Sequence, residues 1–282
     1  MNVGILLSPV IAGFLYGTFG MKSVLIINSI SFTLSAISEM FINVPKTHKS
    51  PEKISFQAFK TDLVEGINVI KENRMIAIMI SLGTIINFSA APLFGIGLIY
   101  IIKEILLVSD IQFGLLQMVM SISMLAAPIL CGGIMRKYKM GKLVYLSFLI
   151  VAILILIMSI IPSDYFLNSF NSNLVPIIGI TIISFIVSLI VTIANIALGT
   201  LFNQVVPLEL MGRTSTVFNF TVTIFIPIGQ MIFGYLYDII SPSIVIIISG
   251  AILLFAIIKY KAALLDYDDS EPKAIGDMIN EL

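Results

Sequence analysis

Charge is scarce in this chain, and so are the residue types that build metal and redox centres. Only 11% of the 282 residues are charged, and the chain has one cysteine, Cys131, and one histidine, His48. A single cysteine excludes a disulfide framework and a cysteine zinc site. A lone histidine in a basic stretch lacks the three or four convergent donors of a metal centre, so neither metal nor cofactor is expected. No G-x-x-x-x-G-K-[ST] loop is present to cradle a nucleotide phosphate, which excludes an ATP-driven pump in this chain. H-E-x-x-H and G-x-S-x-G are missing too, and with no catalytic constellation an enzyme is not expected. Lys and Arg number 16, as do Asp and Glu, and no nucleic-acid partner is expected.

Apolar residues fill the space that charge leaves. They make up 58% of the chain, and the mean hydropathy is +1.08, far outside the soluble globular norm. Charge-free runs mark eight expected spans near residues 3–20, 24–43, 75–101, 111–134, 143–161, 176–202, 215–237 and 243–260. Each is long enough to cross a hydrocarbon core about 30 Å thick. The expected fold is therefore an all-α integral membrane protein, and the lipid bilayer is its first partner.

The positive charges fix the expected orientation. If the connection at residues 44–74 lies in the cytoplasm, that side collects Lys46, Lys49, Lys53, Lys60, Lys71, Arg74, Arg136, Lys137, Lys139, Lys142, Arg213, Lys259, Lys261 and Lys273, and the other side keeps Lys22 and Lys103. Positive residues accumulate on the inner side, so with an even number of spans both termini are expected in the cytoplasm of a cell-membrane protein. Residues 1–3 lead directly into the first span without a basic stretch, so it is expected to be a retained helix rather than a cleaved signal peptide.

Three segments carry more specific information. The first span contains Gly4-x-x-x-Ser8-Pro9-x-x-Ala12-Gly13, where small residues allow close helix approach and proline removes one internal hydrogen bond. Within 44–74, Phe56, Phe59, Leu63, Ile67 and Ile70 recur at steps of three and four, with Lys60, Asp62, Glu65 and Lys71 on the other faces. That pattern predicts an amphipathic helix on the inner membrane surface. After the sixth span, Gln204 to Arg213 places Pro207 to stop a helix, Gly212 to permit a tight turn, and Arg213 to reach carbonyls or Glu209.

These segments resemble the major facilitator superfamily. Gly4 to Gly13 is similar to its G-x-x-x-G-P-x-x-G-G antiporter motif, with Ser8 and Ala12 replacing two glycines. The run Asp62-Leu63-Val64-Glu65-Gly66-Ile67 resembles the D-L-x-E-G-[LI] segment of the drug-exporter branch that includes macrolide and siderophore exporters. Gln204 to Arg213 is similar to the Q-x-x-V-P-x-E-x-x-G-R segment of the same branch. A weaker likeness joins Gly132 to Lys142 with the G-x-x-x-D-[RK]-x-G-[RK] loop; its aspartate is absent and one residue is inserted.

The resemblance implies that the spans correspond to helices five to twelve of a twelve-helix transporter. Residues 1–43 would close the amino-terminal half, 44–74 would form a cytoplasmic linker, 75–260 would be the six-helix carboxyl-terminal half, and 261–282 an acidic, solvated tail. It further implies efflux of amphipathic or drug-like small molecules by alternating access, with proton antiport as the energy source. The four preceding helices would have to be encoded upstream of Met1, so a truncated member is expected. The rival expectation is a non-transporting membrane remnant or partner subunit, with its oligomeric state open. Gly4, Pro9, Gly13, Glu65, Gly66, Pro207, Glu209, Gly212 and Arg213 carry the conformational motifs.

Polar residues at membrane depth are costly unless they face a cavity or another helix. Asn87, Gln117, Ser121, Asn195 and Gln230 are the pathway candidates, with Ser89, Thr192 and Asn219 in the same spans. Phe88, Phe94, Met118, Met120, Met124 and Phe225 offer adaptable apolar contacts for greasy solutes. Glu39 is the acid that lies inside a span and is the coupling candidate in this chain; the resemblance implies that the main coupling acid lies on the absent helices.

Overall fold

A computed structural model describes residues 2–41, 67, 70, 73–135, 137–170, 172–206 and 210–267. Long helices carry nearly all of this, and the described residues include no strand. Their ends follow the charges. Helix α1 is Asn2–Met40, α2 is Arg74–Ile105, α3 is Asp110–Met135, α4 is Met140–Met158 and α6 is Leu174–Val205. A broken span, Met211–Ile239, comprises α7, Met211–Thr223, and α8, Phe225–Ile239; α9 is Pro242–Lys259. Short helices α5, Asp164–Asn168, and α10, Lys261–Leu265, complete the set.

Seven of these runs among the described residues are long and apolar enough to cross a membrane, where eight spans were expected. The difference lies in α1. Its 39 residues form one helical run broken at Gly20, whose φ of 73° and ψ of 173° lie outside the helical region. At 1.5 Å per residue such a run would measure roughly 58 Å, about twice the hydrocarbon thickness. Only glycine enters this backbone region without penalty, so Gly20 divides α1 where two spans were expected to meet. The remaining ends agree with the expected ones to within a few residues.

Short polar segments seal the helix ends. The Asn73 side chain accepts from the backbone N–H groups of Met75 (3.0 Å) and Ile76 (3.2 Å) and caps α2. Ser109 and Gln112 form a reciprocal box at the start of α3: the Gln112 N–H donates to Ser109 Oγ (3.3 Å), and the Ser109 N–H donates to Gln112 Oε1 (3.2 Å). Between α2 and α3, Leu107 adopts a φ of 52°. Lys103 braces that turn by pairing with Asp110, donating to the Val108 carbonyl at 3.2 Å, and lying 5.5 Å from the centre of the Phe113 ring. The Asn173 amide donates to the Leu106 carbonyl at 3.2 Å.

Around the bundle the neighbours run α1, α3, α6, α4, α9, α2 and then the α7–α8 pair, while α2 also meets α6. Lipid is as apolar as leucine, so close packing and interhelical hydrogen bonds hold such helices together rather than escape from water. One apolar core lies toward the lysine-rich end, with Ile76, Leu82, Val144, Phe148, Ala197 and Leu264. A second, toward the other end, gathers Leu93, Ile101, Val151, Met158, Ile180 and Leu253. Exposed side chains such as Ile129, Met231 and Phe255 form the lipid-facing surface.

The carboxyl-terminal segment departs from the expected solvated tail at its start. Leu264 is fully buried in the first core. Its carbonyl oxygen lies where a Cβ on Gly141 would be, and Tyr267 Cβ is 3.4 Å from the same position. Glycine at 141 therefore lets α10 seat on the start of α4. Gly141 belongs to the segment that resembles the superfamily loop, and close backbone approach is the physical requirement it meets here.

Candidate substrate pathway

The polar candidates separate into two helix seams. The first runs between α2 and the α7–α8 pair. Asn87 Nδ2 donates to the Val222 carbonyl at 2.8 Å, just before the break between α7 and α8. Gly83, one turn earlier on α2, leaves room for Val222: a Cβ at 83 would lie 2.9 Å from Val222 Cγ1. Further along, the Gln230 amide nitrogen lies 3.0 Å from the position of a Cβ on Gly95. Asn87 and Gln230 thus lie along one seam, each beside a glycine.

Both helices of this seam are interrupted by proline. Pro92 has no N–H to donate to the Phe88 carbonyl four residues back, and Pro227 likewise leaves the Thr223 carbonyl without its helical donor. α2 responds by widening into π-helical turns at Leu93–Gly97 and Ile101–Ile105, a form that often accompanies functional sites. In the α7–α8 run the ladder is interrupted at Thr223, while Ile224 keeps helical backbone angles and donates to the Phe220 carbonyl at 3.1 Å. At the same level Gly229 presses directly on α2: a Cβ there would run into the Phe88 carbonyl oxygen and come within 2.9 Å of Pro92 Cγ. Nearby, the Leu93 N–H bonds the Ala90 carbonyl, and Ser249 Oγ on α9 donates to the Ser89 carbonyl at 2.7 Å.

The second seam joins α3 and α6. Ser121 is buried and its hydroxyl donates to the Gln117 carbonyl at 2.9 Å, while Gln117 itself is half-buried. Ser188 Oγ crosses from α6 to the Met120 carbonyl at 3.5 Å. Thr192 bonds back to the Ser188 carbonyl at 2.8 Å, and Asn195 one turn on is exposed. Asn219 on α7 is exposed as well. Phe88 meets Phe233 edge to face, with centroids 5.9 Å apart.

The motif residues are placed less completely. Gly4, Pro9 and Gly13 lie on the helical run of α1, with their surroundings outside the described residues. Glu65, Gly66, Pro207 and Glu209 lie outside the described residues, as does the expected amphipathic helix apart from Ile67 and Ile70. Gly212 and Arg213 are exposed in the first turn of α7, and the Gly212 carbonyl accepts from Ser215 (3.1 Å) and Thr216 (2.8 Å). Glu39 is exposed near the end of α1. Among the described residues no group of three or more His, Cys, Asp or Glu side chains could hold a metal.

Sequence reasoning passed over Pro92, Pro227, Gly229 and Ser249. The available signal was a proline in the middle of each of two apolar runs, with glycines at one-turn to two-turn spacing nearby. A comparison with curated proteins gives no match. The family model described as Major Facilitator Superfamily matches residues 1–230. With this match over most of its length and its multi-pass helical architecture, the chain belongs to the Major Facilitator Superfamily, a family of membrane transporters and not of enzymes.

Proposed function

We propose that the protein is a secondary active exporter of amphipathic or drug-like small molecules, working by alternating access with proton exchange, in a cell membrane and with both termini in the cytoplasm. The observation that carries this reading is the pairing of proline breaks in α2 and α7–α8 beside Asn87 and Gln230. Discontinuous helices near half depth supply polar groups and freed carbonyls where a solute passes, and they bend as the two sides alternate. Phe88 and Phe233 pack edge to face on the same seam and hold the two helices together there. The lysine-rich end supports the orientation. Asn195 and Asn219, both exposed, are further candidates for contact with a solute.

A second reading, a partner subunit without a pathway of its own, is favoured by the latter part of α1. From Leu25 to Phe41 its side chains are exposed throughout, including Phe32, Leu34 and Met40. Such a surface suits another membrane chain as well as it suits lipid.

Accumulation of a fluorescent lipophilic cation in cells separates the two. Cells expressing the 282-residue chain, or that chain joined to any coding sequence upstream of Met1, should hold less dye than control cells, and a protonophore should abolish the difference. Export by the extended form alone would show that transport requires residues upstream of Met1. Unchanged accumulation of both a lipophilic cation and a macrolide-sized amphipath would remove the export reading and leave the partner subunit.

A further inference from the structure

The half of the α2–α8 seam farther from the lysine-rich end contains an unpaired polar group in a place built to fit it. Tyr237 is 3% exposed, and its hydroxyl has no hydrogen-bond partner among the described residues. The hydroxyl occupies the notch of Gly97, where a Cβ would collide with it and lie 2.6 Å from the ring carbon that bears it. The Tyr237 ring lies 5.7 Å from that of Tyr100. Phe233, one turn back, meets Phe88, and two turns back Gly229 meets the Phe88 carbonyl. Gly229, Phe233 and Tyr237 therefore form one stripe on α8 that interlocks with α2.

Van der Waals contact between ring and notch favours the seam as it stands, whereas a buried hydroxyl with no acceptor among the described residues opposes it. Buried polar groups are nearly always paired, and an unpaired one favours any arrangement that restores a partner. Gly97 closes the first π-helical turn beyond Pro92, and Tyr237 lies beyond Pro227. The Gly97 side of the contact thus sits on a segment of irregular helical hydrogen bonding, while Tyr237 sits on the regular helix α8.

We propose that Tyr237 and Gly97 form a latch on the outer half of the pathway: the aromatic ring holds α8 against α2, and the unpaired hydroxyl keeps the closed state from being too stable to open. The proposal rests on the alternating-access reading, but opening and closing of the latch is independent of which solute is carried.

Cysteine labelling tests it without transport. Cys131→Ser removes the one native thiol. Ile96→Cys then places a reporter on the seam, since Ile96 Cδ1 lies 3.8 Å from the position of a Cβ on Gly234. Because Ile96 is half-buried in the seam, the change in its labelling rate by a membrane-impermeant maleimide added from outside, relative to the parent with Tyr237 and Gly97 intact, reads the shift in opening. Tyr237→Phe keeps the ring and deletes the hydroxyl, so labelling should slow about tenfold, the factor equivalent to about 1.4 kcal/mol. Gly97→Ala should accelerate labelling, because its methyl group displaces Tyr237. Unchanged or faster labelling in Tyr237→Phe would overturn the latch, even if Gly97→Ala failed to fold. Loss of dye export with normal labelling shifts would instead count against the solute assignment and leave the latch standing.

Discussion

Replacing Gly229 with alanine is expected to cost about 3 kcal/mol or more and to lower the unfolding temperature of the detergent-purified protein sharply. Overpacking is mild when the obstructing atom is the free end of a flexible side chain. Here the obstruction is the Phe88 carbonyl oxygen, with Pro92 Cγ at 2.9 Å on the other flank. Neither can rotate aside, so α8 must lift from α2 and give up the Phe88–Phe233 contact with it. Gly229→Leu should yield no folded protein. Gly132 and Gly133 on α3 provide the contrast, because nothing lies within 4 Å of a Cβ at either position. Alanine there should be neutral or stabilising by up to about 1 kcal/mol through helix propensity. Equal unfolding temperatures for Gly229→Ala and Gly132→Ala would refute the direct backbone contact between α2 and α8.

Ser249→Ala is expected to destabilise by about 1–3 kcal/mol, although the change removes only one oxygen. Its hydroxyl bonds the Ser89 carbonyl in a fully buried place, and the Leu93 N–H, which an undisturbed α-helix would direct to that carbonyl, goes to Ala90 instead. Deleting the donor removes the interhelical partner of a buried carbonyl whose usual α-helical donor, the Leu93 N–H, is directed to Ala90. Many interhelical hydrogen bonds in membranes contribute only about 0.6 kcal/mol, because the separated helices find other partners. The deviation of α2 beside Pro92 denies Ser89 its usual alternative, and this places Ser249 above that average. Ser81 is the control: its hydroxyl bonds back to the Ala77 carbonyl of its own helix at 2.8 Å, so Ser81→Ala should leave thermal stability unchanged. Ser249→Cys, a weaker donor of similar size, should recover part of the loss. If Ser81→Ala and Ser249→Ala behave alike, the interhelical bond contributes nothing measurable.

What sequence alone conveys about this protein follows from how its physics is distributed along the chain. Span positions depend on runs of apolar residues and on charges at their ends, both local properties, so α2 to α4, α6 and α9 begin and end close to where hydropathy places them. Gly20 was harder, because a single glycine in a small-residue stretch does not announce its φ. Polarity at depth marks the pathway candidates, and the structure gives several of them nearer partners: Asn87 with Val222, Ser121 with Gln117 and Thr192 with Ser188. A polar side chain in hydrocarbon takes the first acceptor in reach, and which acceptor is in reach depends on the facing helix. The glycine notches at 97 and 229 share that limitation, since each is defined by an atom more than 130 residues away in sequence. Leu264 was hidden for the opposite reason: the acids that follow it made its surroundings look uniformly hydrophilic.

The bracing of Lys103 by Asp110 also shapes the field at the protein's lysine-poor end. That cation is matched locally, so among the described residues at that end the exposed Glu104, Asp164 and Asp238 outnumber the remaining cation, Lys22. The end is therefore net negative, in contrast to the accumulation of lysine and arginine at the other. If the proposed export of amphipathic solutes holds, an organic cation should be favoured at that end over an organic anion of equal size and hydrophobicity. Ionic screening acts over about 8 Å at physiological strength, so the preference for cations should fade as external salt is raised, while selection by hydrophobicity persists. Transport rates for a matched cation and anion pair, measured across a salt series, would reveal an electrostatic slope belonging to the protein's own surface and not to its driving ion.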